Sequence, residues 1–346
     1  MRHPHARRFP SALKATALAI SLLVGGAACG ADTASAAGRA TPRTGTAWTG
    51  TAWTGTAWAG AESGRAAPDA LRTPAPREAE ARRRLRALEA SFKGRIGAYA
   101  LDTATGKTVA YRSGERFPLL STFKASAAAA VLHKARTSDP GLMDRVVHWK
   151  QSEVKANSPV TEKHVKDGLS VARLCEAAIT QSDNTAGNML LKQIGGPAGL
   201  TRYFRTLKDP VSRLDRWETE LNEWTPTAKR DTTTPAAMGR NLRGLATGAV
   251  LNAKDRARLN GWLRANKTGD ERIRAGLPTT WTIGDKTGTT TSYGAANDIA
   301  VIWPGKGAAP LIMTIYTNRR AAGALSDNKV IADAAAILAR GLGKLS

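Results

Sequence analysis

Four short segments carry residue types that could perform acyl transfer. Ser121-Thr122-Phe123-Lys124 places an amine three residues after a hydroxyl. Ser182-Asp183-Asn184 adds a second hydroxyl, an acid and an amide, and Glu218-Thr219-Glu220-Leu221-Asn222 sets a carboxylate four residues before an amide. Lys286-Thr287-Gly288-Thr289 offers one amine and two hydroxyls around a glycine. A serine hydroxyl is a weak nucleophile until a neighbouring base takes its proton. An ester formed on it is hydrolysed when a second base deprotonates a water. The set therefore contains a nucleophile, proton carriers, a water-positioning pair and an anion clamp.

Each motif alone carries little weight. Ser-x-x-Lys recurs at Ser11, Ser152 and Ser326, Ser-Asp-Asn at Ser326-Asp327-Asn328, and Lys-Thr-Gly at Lys267-Thr268-Gly269. Context separates the copies. Ser121 stands before Phe123-Lys124-Ala125-Ser126-Ala127-Ala128-Ala129-Ala130-Val131-Leu132, a strong helix former. A serine on that first turn lies near free N–H groups at the positive end of the helix dipole, with Lys124 on the same face. Ser326-Asp327-Asn328 precedes an apolar helical run and reads as an N-cap. Lys267-Thr268-Gly269 sits in a polar stretch and reads as a loop, whereas Lys286 ends the alternating run Trp281–Asp285.

These segments need a scaffold. A charged helix is expected over Pro76–Ser91, then two strands at Arg95–Leu101 and Lys107–Tyr111 around a turn. From Ser121 to about Ala265 the pattern is mainly helical. Three strands follow near Trp281–Lys286, Asp298–Trp303 and Pro310–Thr317, and a helix closes the chain. Strands at both ends with helices between them predict an α+β fold: one antiparallel five-stranded sheet flanked by terminal helices, with an all-helical domain inserted over about 121–265.

In its motifs and their order the chain resembles the class A serine β-lactamases, whose signature is this Ser-x-x-Lys, Ser-Asp-Asn and Lys-Thr-Gly set. Pro159-Val160-Thr161-Glu162-Lys163-His164, Arg213-Leu214-Asp215-Arg216-Trp217-Glu218 and Gly284-Asp285-Lys286-Thr287-Gly288-Thr289 extend the likeness across roughly residues 80–346. The resemblance implies the same fold and a hydrolase that opens small-molecule β-lactams through an acyl-serine. It assigns Ser121 as nucleophile and Ser182 as proton relay to the departing nitrogen. Glu218 and Asn222 become the holders of the hydrolytic water, and Lys124 or Glu218 the acylation base. Asn184 would bind the substrate amide, and Lys286, Thr287, Gly288 and Thr289 its carboxylate, with Arg272 in support. Backbone N–H groups of Ser121 and Thr289 would form the oxyanion hole, Asp183 would order its loop, and Arg216 with Asp231 would close the loop that carries Glu218. No cofactor and no metal is implied. Asn157 departs from the family, where an aromatic residue often lines the pocket mouth.

Cys175 shares an apolar helical face with Val171, Leu174, Ala178 and Ile179, which predicts a buried, inert thiol. The disulfides of some relatives have no partner cysteine here, since Cys29 lies in the leader. Five scattered histidines and no Cys/His spacing argue against a zinc hydrolase.

Lys plus Arg number 51 against 28 Asp plus Glu, a formal charge of +23. Residues 1–76 hold eight basic and three acidic residues, leaving +18 to the remainder. The basic residues are dispersed and no nucleic-acid fold signature accompanies them, so a nucleic-acid partner is not expected. Arg2, Arg7, Arg8 and Lys14 precede an apolar run over Ala15–Ala28, which reads as an export signal over residues 1–36. Cleavage is expected after Ala34-Ser35-Ala36, or before Cys29 as a lipid anchor. The repeats Thr44–Trp48, Thr49–Trp53 and Thr54–Trp58 are too short to bury a core. Residues 37–76 read as a disordered linker that leaves cell-wall or membrane association open, and residues 77–346 as the catalytic domain. An exported monomer is expected. The competing classes are a D-alanyl-D-alanine peptidase or transpeptidase, which shares two motifs but normally lacks the Glu218–Asn222 pair, and a β-lactam-binding sensor that acylates and stalls.

Overall fold

The computed structural model describes residues 76–346. The predicted leader, linker repeats and Cys29 lie outside the described residues. Helix α1 (Pro76–Phe92) leads into strands β1 (Gly94–Asp102), β2 (Thr108–Tyr111) and β3 (Phe117–Pro118), then α2 (Phe123–Thr137). Strands β4 (Val146–Val147) and β5 (Leu169–Ser170) follow, with α3 (Val171–Thr180), α4 (Asn184–Gln193) and α5 (Gly196–Thr206). After β6 (Thr232–Thr233) come α6 (Pro235–Ala246) and α7 (Ala253–Arg264). The chain returns through β7 (Thr282–Thr289), β8 (Ala296–Trp303) and β9 (Leu311–Arg319) to α8 (Asn328–Leu342).

The expected five strands form one antiparallel sheet in the order β2-β1-β9-β8-β7. Its central strands are covered on both faces, and alternate residues serve different cores as strand periodicity requires. Ala300, Ile302, Met313 and Ile315 join Leu85 of α1 and Val330, Ile331 and Leu338 of α8. Ile299, Val301, Ile312 and Tyr316 join the core of the helical region. That core is centred on α2, where every residue from Phe123 to Leu132 is buried. A helix apolar on all sides is a central helix, and the small alanines let α3, α4, α5, α6 and α7 approach it.

Two details differ from the sequence reading. Strand β7 does not end at Lys286 but runs to Thr289, because Thr287, Gly288 and Thr289 pair with Asp298, Asn297 and Ala296. The helical region also contains two short ladders, β3 with β6 and β4 with β5. The first of these brings Phe117 and Pro118, just before Ser121, against Thr232 and Thr233 at the end of the Glu218 loop.

Candidate active site

Ser121 lies on a single 3₁₀ turn, Leu120–Thr122, that feeds α2. Leu120 adopts a left-handed backbone with φ +48°, a conformation that costs a non-glycine residue about 1–3 kcal/mol and tends to collect at functional sites. The turn is held in place by Leu119 N–H donating to Asp231 O (2.8 Å) and by Asn297 Nδ2 donating to Pro118 O (2.8 Å). On the first turn of α2, Lys124 Nζ lies 2.9 Å from Ser121 Oγ. It also meets Ser182 O at 2.7 Å, Asn184 Oδ1 at 2.6 Å and Glu218 Oε1 at 3.0 Å. Lys124 and Glu218 are both fully buried. Burial pushes the Lys124 amine below its usual range, and the nearby Glu218 and Asp183 charges only partly oppose it.

Glu218 is fixed from three directions. Asn188 of α4 donates Nδ2 to Glu218 O and accepts from Glu218 N–H, both at 2.9 Å. Asn222 Nδ2 donates to Glu218 Oε2 at 2.6 Å, and Ser121 Oγ donates to Glu218 Oε1 at 3.2 Å. Asn222 Oδ1 is buried with no protein partner; buried acceptors are nearly always satisfied, so this atom is a place for a water's O–H. Behind the loop, the Arg216–Asp231 ion pair spans 2.7 Å with Asp231 fully buried. Asp231 Oδ1 also accepts the N–H groups of Asp215 and Arg216.

The opposite wall is β7. Lys286 is fully buried and donates to Ser182 Oγ (2.9 Å) and Thr287 O (2.8 Å). Burial, and then the positive charge of Lys124, press its amine well below the usual lysine range. Gly288 lets this strand approach the nucleophile, since a Cβ there would lie 3.0 Å from Ser121 N and 2.8 Å from Leu120 Cβ. Arg272 is not a surface arginine: it is buried and donates to Thr289 Oγ1 (2.6 Å), Gly288 O (3.0 Å), Asn297 O (2.7 Å) and Asn328 Oδ1 (2.8 Å).

The structure thus places the predicted site residues in one connected set of contacts, with one refinement. Asn184 has both amide atoms engaged, Oδ1 by Lys124 and Nδ2 by Ala156 O at 2.7 Å, so here it orients the lysine. Asp183 orders its surroundings as expected: it caps α4 through Ala186 N–H and accepts from Val160 N–H, Thr161 N–H and Thr161 Oγ1. Sequence reasoning missed Asn188, whose only signal is its position one turn after Asn184. It also missed Asn328, which sits in the duplicate Ser-Asp-Asn; Asp327 of that duplicate does cap α8. Cys175 is free and buried, with its thiol pushed up by burial. Asn157 is exposed at the mouth with φ +57°. Among the described residues no group of three His, Cys, Asp or Glu side chains could hold a metal, and no helix is long and apolar enough to cross a membrane.

Residues 80–342 match the model of the β-lactamase enzyme family. The chain is 52% identical over 248 residues to β-lactamase FAR-1 of Nocardia farcinica, covering 72% of this chain and 78% of that protein. It is 46% identical over 256 residues to the carbapenem-hydrolyzing β-lactamase KPC of Klebsiella oxytoca, covering 74% and 87%. Among solved structures, a β-lactamase from Streptosporangium roseum is 78% identical with a TM-score of 0.77, covering 77% of this chain and all of that one. An ancestral class A β-lactamase is 51% identical with a TM-score of 0.71, covering 74% and 98%. With matches of this extent falling on the region that carries the cleft, the chain belongs to the class A β-lactamases.

Proposed function

We propose that this protein opens the β-lactam ring through an acyl-serine and then hydrolyses the ester, which confers resistance to β-lactam antibiotics. The observation that carries the reading is Ser121 Oγ lying within hydrogen-bond reach of both Lys124 and Glu218, with Asn222 on the same carboxylate. Ser182 O and Asn184 Oδ1 accept from Lys124 Nζ at 2.7 and 2.6 Å, which holds the amine against Ser121 Oγ. In acylation Ser121 Oγ bonds to the lactam carbonyl carbon while its proton passes to the Lys124–Glu218 pair. Ser182 Oγ accepts from Lys286, which leaves its own proton free for the departing nitrogen. The C–N bond then breaks with that nitrogen protonated, and the proton held by the Lys124–Glu218 pair passes to Ser182, which leaves Glu218 free for the next step. In deacylation a water donates to Glu218 and to Asn222 Oδ1, its oxygen attacks the ester, and Ser121 recovers its proton. Lys286, Thr287 and Thr289 bind the substrate carboxylate, and the N–H groups of Ser121 and Thr289 receive the oxyanion. A nitrocefin assay on the full chain tests this; an intact chromophore after prolonged incubation would overturn it.

Penicillins are the substrates we assign first, with the Glu218 loop pinned at its base by the Arg216–Asp231 pair. In Arg216→Ser the buried Asp231 keeps its backbone donors but loses its cation. Partial exposure of Arg216 tempers that cost, so about a tenfold fall in kcat/KM for penicillins is expected. Bulky cephalosporins gain relative to penicillins. Steady-state kinetics with both classes check this; unchanged values for both would remove the clamp from the account.

We also assign the mature protein to the cell exterior, on the basis of the basic, apolar and small-residue order of residues 1–36. Mass determination of the exported protein is expected to give a first residue after Ala36 or a lipidated Cys29. An intact Met1 on the exported chain would refute the assignment.

A further inference from the structure

The duplicate Lys-Thr-Gly, Lys267-Thr268-Gly269, lies directly against the one in β7. Thr268 Oγ1 and Thr287 Oγ1 are 2.5 Å apart. The loop that carries Thr268 is fixed at three points. Lys267 N–H donates to Thr180 O at 3.0 Å, and Asn266 Nδ2 donates to Asp285 Oδ2 at 2.5 Å. Gly269 packs on the same carboxylate so closely that a Cβ would lie 2.0 Å from Asp285 Oδ2. Because a carboxylate oxygen takes the NH₂ side of Asn266, the amide oxygen faces Thr268. That oxygen accepts both Thr268 N–H (3.2 Å) and, by distance, Thr268 Oγ1 (3.0 Å).

We propose that Thr268 is a positioning residue for substrate binding, whose hydroxyl donates to Thr287 and so releases the Thr287 proton to the substrate carboxylate. The proposal rests on the reading that β7 binds that carboxylate. Each threonine hydroxyl has one proton, and only one of the two can occupy the line between Thr268 and Thr287. Without substrate, the contacts permit a chain from Thr287 to Thr268 to Asn266 Oδ1. That arrangement turns lone pairs rather than a proton toward an incoming carboxylate. When the anion arrives, both hydroxyls rotate: Thr268 donates to Thr287, and Thr287 donates to the carboxylate. Asn266 Oδ1 keeps the Thr268 N–H throughout, so the reversal leaves no buried acceptor stranded. Among the described residues, Thr268 is the one side chain that hydrogen-bonds the Thr287 hydroxyl.

Thr268 is exposed, so its replacement by valine spares the core. With benzylpenicillin, Thr268→Val is expected to raise KM about fivefold, the scale of one neutral hydrogen bond, with kcat within about twofold of wild type. Thr268→Ser restores KM because it restores the hydroxyl. In a Thr287→Val background, Thr268→Val adds no further rise, since the two act as one unit. The same ratio is expected in the Kd of benzylpenicillin for Ser121→Ala protein, where no turnover enters. An unchanged KM in Thr268→Val, an equal loss in Thr268→Ser, or additive losses in the double variant would each overturn the proposal. A wild-type protein that opens no β-lactam overturns the functional reading instead, and the Kd comparison still decides this one.

Discussion

With Glu218 replaced by glutamine, benzylpenicillin is expected to convert the protein to a stable acyl-Ser121 adduct, visible as one added substrate mass, while steady-state turnover collapses. Glutamine keeps the length and the Asn188 contacts to the backbone at both ends of residue 218. What it removes is the group that can take a proton from a water. General-base assistance is worth roughly 100- to 10,000-fold, and an ester without it persists. Glu220 provides the control. It lies two residues away, half-exposed and paired with Lys155 at 3.3 Å. Its conversion to glutamine is expected to change turnover less than about threefold, in keeping with the small value of exposed ion pairs. Wild-type turnover by the Glu218 variant would move the hydrolytic water elsewhere in the cleft. The experiment also separates the family reading from its rivals, since a sensor or a peptidase with stalled deacylation gains no dependence on this carboxylate.

Ser121→Ala is expected to abolish covalent labelling and to lower turnover by on the order of a million-fold, as nucleophile removal does in other serine hydrolases. Ser152 and Ser326 share the Ser-x-x-Lys pattern and set the comparison. The structure gives their lysines other work. Lys155 reaches Glu220, and Lys329 reaches Asp333 at 2.7 Å on the surface of α8. Both amines keep contact with solvent, whereas Lys124 is fully buried beside Ser121. Peptide mapping after incubation with a slow β-lactam is therefore expected to find the adduct on the peptide containing Ser121 alone. An adduct that survives Ser121→Ala and maps to Ser152 or Ser326 would mean that the wrong copy of the motif was chosen.

The parts of this protein that the sequence by itself determined are those whose cause is local or periodic. Ser121 and Lys124 are three residues apart ahead of an alanine-rich run, so helical geometry alone puts amine and hydroxyl together. The strands at Arg95–Leu101, Lys107–Tyr111 and Trp281–Asp285 announce themselves by alternation, and the terminal helices by their length and period. The buried face of α3, with Cys175 in it, follows from the same periodicity. The tertiary structure alone decided everything that depends on contacts between segments far apart in the chain. Asn188 and Glu218 are 30 residues apart, Arg272 and Asn328 56, and no period links them. Ladders of two residues, such as β3 with β6, are too short to leave a pattern. The duplicates show the limit most clearly. Lys267-Thr268-Gly269 and Ser326-Asp327-Asn328 read correctly as a loop and a cap, yet Thr268 touches Thr287 and Asn328 holds Arg272. Burial is the remaining quantity that only the fold supplies. The amines of Lys124 and Lys286 are depressed because the packed chain removes water from both while setting them in one cleft, and desolvation is a property of the assembled core rather than of any residue type.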